Sequence, residues 1–78
     1  MPTIFTENGF RFFFYSNDHD PIHVHVRKGE GEAVFNVEVA VELRESVGLK
    51  TKELTQAEEI ACRRQKEIID HWNEYFNK

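Results

Sequence analysis

The hydrophobic pattern of this chain changes its period once, near residue 50, and this change limits the fold more than any other feature. Before it, residues 3 to about 39 carry strand signals, and at 22–27 and 32–39 apolar residues alternate with others in the two-residue period of a half-buried strand. After it, apolar residues recur at spacings of three, four or seven, as on one face of a helix. The members of this helical stripe are Leu54, Ala57, Ala61, Ile68, Trp72 and Tyr75. The order predicts a block of strands followed by a helix, with Trp72 largely buried against the sheet.

Residues 3 to about 39 predict four strands joined by short turns, at 3–5, 10–15, 22–27 and 32–39. Asn8 and Gly9 form the strongest two-residue hairpin signal, because both tolerate the positive φ angles of such a turn. Short connections favour antiparallel pairing of neighbouring strands in a meander. Residues 40–49 fit either a fifth strand or an irregular bridge.

The predicted fold is therefore α+β: an antiparallel sheet of about four strands (a meander) covered by one long C-terminal helix. A single domain accounts for residues 1–78, with the β-meander at 1–39, the bridge at 40–49 and the helix at 50–77. The apolar stripe of this helix is weakest at Arg64 and Gln65. A helix of about 25 residues spans roughly 37 Å, so we expect one end to overhang the sheet or to contact another chain.

Composition excludes several classes of protein. Cys62 is the only cysteine, so an internal disulfide framework is excluded and a reducing compartment is expected. No apolar run approaches the roughly 18 residues of a membrane span, and the first residues lack the features of a signal peptide. The formal net charge of −4 argues against broad binding to nucleic-acid phosphates. These features predict a cytoplasmic protein with no membrane contact.

The segment from residue 18 to residue 26 holds three of the four histidines and two carboxylates. On a strand, His23 and His25 project from one face together with Arg27, while the apolar residues between them enter the core. Imidazole suits both proton transfer near neutral pH and divalent metals such as zinc. We therefore expect any chemical site of this protein to lie here.

Three interpretations of this segment stay open. In the first, His19, His23 and His25 together with Asp18 or Asp20 supply three or four ligands to a divalent metal. In the second, His23 and His25 act as general base and general acid in RNA cleavage, while Arg27 stabilises the phosphorane. In the third, this is a histidine-rich surface strand whose side chains hydrogen-bond to carboxylates of the preceding loop.

The pattern Phe-Tyr-Ser-Asn-Asp-His-x-Pro-x-His-x-His at residues 14–25 resembles a prokaryotic family catalogued as domain of unknown function DUF4160. The opening residues 1–5 and the aromatic segment 72–76 are similar to the ends of that family, so the resemblance covers essentially the whole chain. It identifies Asp18, His19, Pro21, His23 and His25 as signature positions, without a catalytic role. It also implies gene pairs with a second small family, domain of unknown function 2442, arranged like toxin–antitoxin modules.

Two functions from different classes follow. The first is a small cytosolic interaction protein, one component of a toxin–antitoxin-like two-gene module, which binds a cognate small protein encoded nearby. The alternative is a histidine-based hydrolase or ribonuclease, with or without a divalent metal, for which RNA would be the substrate. A homodimer is also expected, because the second predicted strand carries aromatic residues on both faces and the helix outruns the sheet.

Overall fold

The computed structural model describes residues 3–76, which form a five-stranded antiparallel sheet and two helices. The elements are β1 (Thr3–Glu7), β2 (Phe10–Phe13), β3 (His23–Lys28), β4 (Gly31–Asn36), β5 (Glu42–Val47), α1 (Thr51–Arg63) and α2 (Gln65–Tyr75). The strands lie in the sheet in sequence order, so the predicted α+β class and the meander are confirmed. The predicted helix end at residue 77 lies outside the described residues, as do residues 1 and 2.

The first hairpin forms as the sequence predicts. Asn8 and Gly9 both have positive φ angles, 53° and 81°, which is the requirement of the two-residue turn whose twist matches paired strands. The turn aligns β1 with β2, and it places Glu7 opposite Phe10.

The sheet has five strands where about four were predicted, because part of segment 40–49, for which a fifth strand was one of two interpretations, forms β5. This strand pairs with β4 along its length, and all six of its residues are exposed. A strand with neither face buried has no reason to alternate apolar and polar residues. The periodicity that reveals the other strands is therefore absent here.

The predicted long C-terminal helix consists of two consecutive helices, α1 and α2, because the helix is interrupted at Arg64. This residue leaves the helical conformation, with φ −111° and ψ 22°. Its guanidinium lies 3.5 Å from the centre of the Phe5 ring and 3.0 Å from a carboxylate oxygen of Glu7. The Gln65 side chain donates a hydrogen bond to the Val37 carbonyl at 2.7 Å. These contacts tie the interruption to the sheet at the weakest point of the apolar stripe.

The core lies between one face of the sheet and the buried stripe of both helices. Its members are Phe10, Phe12, Phe14, Val24, Val26, Ala33, Phe35, Val37, Ala57, Ile60, Ala61, Ile68 and Trp72. Trp72 is 1% exposed, so its predicted burial is confirmed. No helix within residues 3–76 is long and apolar enough to cross a membrane.

Candidate functional site

The two histidines of β3 project from the side of the strand opposite to Val24 and Val26, and the ring of His23, at the start of the strand, also contacts Trp72 of α2, with ring centres 5.2 Å apart. Val24 and Val26 point into the core and are fully buried, so strand alternation places His23 and His25 on the other face, as predicted. His23 is only 5% exposed, and 12% of the His25 side chain is exposed. The histidines therefore lie just beneath the surface rather than on it.

Asp18 joins the two histidines from the loop between β2 and β3. Its Oδ1 atom lies 3.3 Å from His23 Nε2 and 3.2 Å from His25 Nε2. Its Oδ2 atom accepts a hydrogen bond from the Tyr15 amide at 2.9 Å, and its own amide donates to the Tyr15 carbonyl at 3.1 Å. This tight turn folds the loop back over the sheet and fixes one carboxylate oxygen between both imidazoles.

The environment of Asp18 favours its ionised form. Burial raises the pKa of the carboxyl, but the hydrogen bonds from the Tyr15 amide and from His25, together with the charges of His25 and His23, outweigh burial. The pKa of Asp18 therefore lies below its ordinary value. The cluster holds a carboxylate anion that is largely withdrawn from solvent, with 10% of its side chain exposed.

The ring of His23 is oriented by a backbone carbonyl. Its Nδ1 atom lies 2.8 Å from the carbonyl oxygen of Pro21, which follows a cis peptide bond. A carbonyl oxygen can only accept, so Nδ1 must carry the proton. In neutral His23 the Nε2 atom is then unprotonated, and its lone pair faces Asp18 Oδ1 at 3.3 Å.

The ring of His25 is held mainly by aromatic contacts. It stacks on Phe13, with ring centres 5.5 Å apart, and meets Tyr15 edge-on at 4.5 Å. Its Nε2 atom is within hydrogen-bond distance of Asp18. Its Nδ1 atom is buried without a hydrogen-bond partner among residues 3–76, and the nearest carboxylate oxygen, of Glu32, lies 3.8 Å away.

The three side chains could hold a metal ion together. One ligand atom from each of Asp18, His23 and His25 lies within 4.8 Å of the other two. A tetrahedral zinc ion with bonds of about 2.0–2.2 Å separates its ligand atoms by roughly 3.4 Å, and the two separations from Asp18 Oδ1 are 3.3 and 3.2 Å. Both imidazoles also present the nitrogen that is left free for a metal when the other carries a proton.

Two of the predicted site residues do not join this cluster. His19 is exposed in the loop, and within the part of the chain that the structure describes it is not in the group formed by Asp18, His23 and His25. Arg27 lies on β3 opposite Arg11 and Glu32. It is exposed at the rim of the face, so the structure does not bring it to the Nε2 atoms of the histidines.

Sequence reasoning missed three contributors to the site: the amide of Tyr15, the carbonyl of Pro21 and the carboxylate of Glu32. The first two are backbone groups whose direction depends on the loop conformation, which side-chain patterns do not report. Glu32 could have been found from register. The turn after Lys28 pairs Glu32 with Arg27, and this places Glu32 on the histidine face, diagonally across from His25.

The family model described as domain of unknown function (DUF4160) matches residues 9–73. The match includes the whole cluster and both helices up to Asn73, and it confirms the resemblance seen in the sequence. No curated protein and no solved structure is significantly similar to the chain. The gene pairing that the resemblance implies stays a prediction.

Proposed function

The chain belongs to the domain of unknown function family DUF4160, and we propose its function from the geometry of the cluster. In this proposal Asp18, His23 and His25 bind a divalent transition-metal ion such as zinc. The ligand set of two imidazoles and one carboxylate is typical of zinc and its neighbours. His19, which lies outside the cluster, is not among the proposed ligands.

The contact between His23 and Asp18 carries this proposal. The Pro21 carbonyl keeps a proton on His23 Nδ1, so neutral His23 turns a lone pair toward an ionised carboxylate at 3.3 Å. Two acceptors repel each other unless a positive charge lies between or on them. A second proton on His23 satisfies this contact, and so does a metal ion, which would take Nε2 of both histidines and Oδ1 of Asp18 as its ligands.

Three protein ligands leave a fourth position of a tetrahedral ion for water or substrate, as in catalytic rather than structural zinc sites. An ion bound in this way supplies Lewis-acid chemistry, which is used in hydrolysis of esters, amides and phosphodiesters. Metal-dependent hydrolysis is therefore the reaction class that we assign to the cluster. Cleavage of RNA by the histidines alone has less support, because both Nε2 atoms converge on one carboxylate instead of flanking a space for phosphate.

Zinc binding by protein produced without a polyhistidine tag tests the proposal. We expect one zinc ion per chain, and stabilisation by about 2.7 kcal/mol when free zinc is 100 times its dissociation constant. Because the rings of His23 and Trp72 are 5.2 Å apart, binding should also change the emission of this single tryptophan. His23→Gln and His25→Gln should lose these responses, whereas His71→Gln, at an exposed helical position, should keep them.

Two results would contradict the metal site. One is substoichiometric zinc with no shift in melting temperature. The other is equal loss of binding in the His25→Gln and His71→Gln proteins, which would indicate nonspecific coordination. Hydrolysis is tested separately with single-stranded RNA and a simple ester, each incubated with zinc-loaded wild-type and His25→Gln proteins. Equal rates would remove the assigned reaction and leave metal binding intact.

A second candidate function is protein–protein binding within a two-gene, toxin–antitoxin-like module, and the exposed edge of the sheet supports it. The segment that leads into β5 and β5 itself carry Val39, Leu43 and Val47, which are 86%, 46% and 71% exposed. An edge strand offers unpaired backbone groups along one side, to which an extended segment of a partner can pair. We propose the small protein encoded beside this gene as that partner.

Light scattering separates this partner from self-association at the same edge. If the protein acts in a two-gene module, it should be a 9.2 kDa monomer when purified alone and should form a complex with the cognate protein. Leu43→Lys should weaken this complex. If the protein forms a homodimer, light scattering should give twice that mass without any partner. A monomer that neither dimerises nor binds the neighbouring gene product would contradict both.

A further inference from the structure

The Nδ1 atom of His25 is a buried polar atom whose role the cluster does not explain. It makes no hydrogen bond to any described residue, although Glu32 Oε2 is only 3.8 Å away. This distance is about 1 Å too long for a hydrogen bond. The Glu32 side chain is 28% exposed, so its carboxylate can move by that amount without repacking the core.

The position of the proton on the His25 ring explains why Nδ1 and the Glu32 carboxylate do not form a hydrogen bond. In the arrangement described, His25 Nε2 lies 3.2 Å from Asp18 Oδ1, and a proton on Nε2 makes that contact a hydrogen bond. A neutral imidazole carries one proton, so Nδ1 is then unprotonated. Two acceptors, Nδ1 and the Glu32 carboxylate, face each other and do not bond.

A metal ion on Nε2 reverses this arrangement. The ion needs the Nε2 lone pair, so the single ring proton has to lie on Nδ1, where it points at Glu32. Histidine ligands of metals generally donate their second ring nitrogen to a carboxylate or carbonyl. His23 already does so through the Pro21 carbonyl, and Glu32 is the residue placed to do the same for His25.

We propose that Glu32 is a positioning residue of the metal site, which accepts a hydrogen bond from His25 Nδ1 only when a metal occupies Nε2. This inference rests on the proposed metal binding by Asp18, His23 and His25. The two imidazoles would thus differ: the backbone fixes the tautomer of His23 in both states, whereas the metal sets that of His25. Glu32 raises metal affinity by stabilising the required tautomer of His25 and by making its ring a better donor to the ion.

Zinc affinity of Glu32→Gln and Glu32→Ala, measured by competition with a chromophoric chelator at fixed pH, tests the proposal. Loss of such an outer partner typically weakens metal affinity about 10- to 100-fold, and we expect a loss in this range. Glu45→Gln is the matched control. Glu45 lies beside Glu32 in a shallow groove between β4 and β5 of about 210 Å³, and it has no contact with either histidine among the described ion pairs.

The tautomer of His25 supplies a readout that a merely structural role would not change. Nitrogen-15 spectra of the imidazole rings should show the His25 proton on Nε2 in the metal-free protein and on Nδ1 in the zinc-loaded protein. His23 should carry its proton on Nδ1 in both. The urea midpoints of the metal-free variants should match that of the wild type, which shows that the loss of affinity does not arise from unfolding.

The outcomes distinguish a failure of the role of Glu32 from a failure of the proposed metal binding. A wild-type protein that binds no zinc overturns both. Tight zinc binding that stays within twofold in both Glu32 variants overturns the role of Glu32 alone, as does an equal loss in the Glu45→Gln control. A His25 proton that is already on Nδ1 without zinc also overturns it.

Discussion

Replacement of Trp72 by alanine is expected to remove a large part of the stability of this fold. Trp72 is 1% exposed, and its ring centre lies 4.3 Å from that of Phe76 and 5.3 Å from that of Phe14. Deletion of a buried tryptophan side chain costs about 3 to 5 kcal/mol. At about 0.05–0.15 kcal/mol per residue, the total for 78 residues is about 4 to 12 kcal/mol. The variant should therefore lose at least a quarter of its free energy of unfolding.

Replacement of Trp72 by phenylalanine separates packing from hydrogen bonding at the same position. The indole Nε1 atom is buried with no hydrogen-bond partner in the described part of the chain. A buried donor without a partner costs about 1–3 kcal/mol, and phenylalanine removes that donor while it keeps an aromatic ring against Phe14. We therefore expect the phenylalanine variant to lose less than half as much stability as the alanine variant.

Urea denaturation followed by far-ultraviolet circular dichroism measures both variants, since tryptophan fluorescence is lost with the residue. His71→Ala is the control, because His71 precedes Trp72 on α2 and is exposed; a surface change of this kind stays within about 0.5 kcal/mol. An alanine variant with the wild-type midpoint would refute the burial argument. A phenylalanine variant as unstable as the alanine variant would refute the argument about the indole nitrogen.

Three further changes test other parts of the structure. Because folding lowers the pKa of Asp18, its ionised form stabilises the fold above its ordinary pKa, and this stabilisation is lost as the pH falls through the lowered value. In urea titrations of metal-free protein, Asp18→Asn should therefore flatten the loss of stability at acid pH. An unchanged dependence of stability on pH would contradict the lowered pKa of Asp18. Arg64→Ala should lower the melting temperature more than Lys66→Ala, because Arg64 joins the helix interruption to β1 whereas Lys66 forms a solvent-exposed ion pair with Asp70 on the same helix. Equal shifts would count against that role of Arg64. Gly48→Ala should lower the free energy of unfolding by about 1–2 kcal/mol because Gly48 has a positive φ. The loss should exceed that of Gly29→Ala, because a Cβ at Gly48 would lie 3.1 Å from the Gly31 Cα, while one at Gly29 meets nothing within 4 Å. Equal urea midpoints of the two variants would show that the structure relaxes around the close approach at Gly48.

Elements with one buried face could be predicted from the sequence. The alternation along β3 correctly assigns Val24 and Val26 to the core and His23 and His25 to the opposite face, because a strand buried on one side imposes a period of two. β5 could not be predicted in this way, since none of its residues is buried. The sequence marks Arg64 and Gln65 as the weakest point of the apolar stripe, but it does not predict an interruption there, because the stripe continues on both sides. The contacts that accompany the interruption are with residues distant in sequence: Phe5 and Glu7 of β1 and the carbonyl of Val37.

The candidate site was predictable to the extent that strand geometry determines it. His23 and His25 were identified together, and Asp18 was named as a ligand on proximity in sequence. Proximity was a poor guide for His19, which is one residue from Asp18 yet exposed. A loop residue joins a site only if the backbone turns it inward, and here the paired hydrogen bonds between Tyr15 and Asp18 select Asp18.

The proposed metal site therefore combines two proposed ligands fixed by the core with a third fixed by a loop. His23 and His25 cannot move without β3, whose Val24 and Val26 are fully buried, and the ring of His23 also contacts Trp72, with ring centres 5.2 Å apart. Asp18 depends on one local turn, whose two central residues are exposed. Precise ligand placement on rigid elements favours tight binding, whereas a ligand on a loop has to be ordered at the expense of affinity. Changes in the core should therefore alter stability and metal affinity together, whereas changes confined to the turn should alter affinity with little effect on stability.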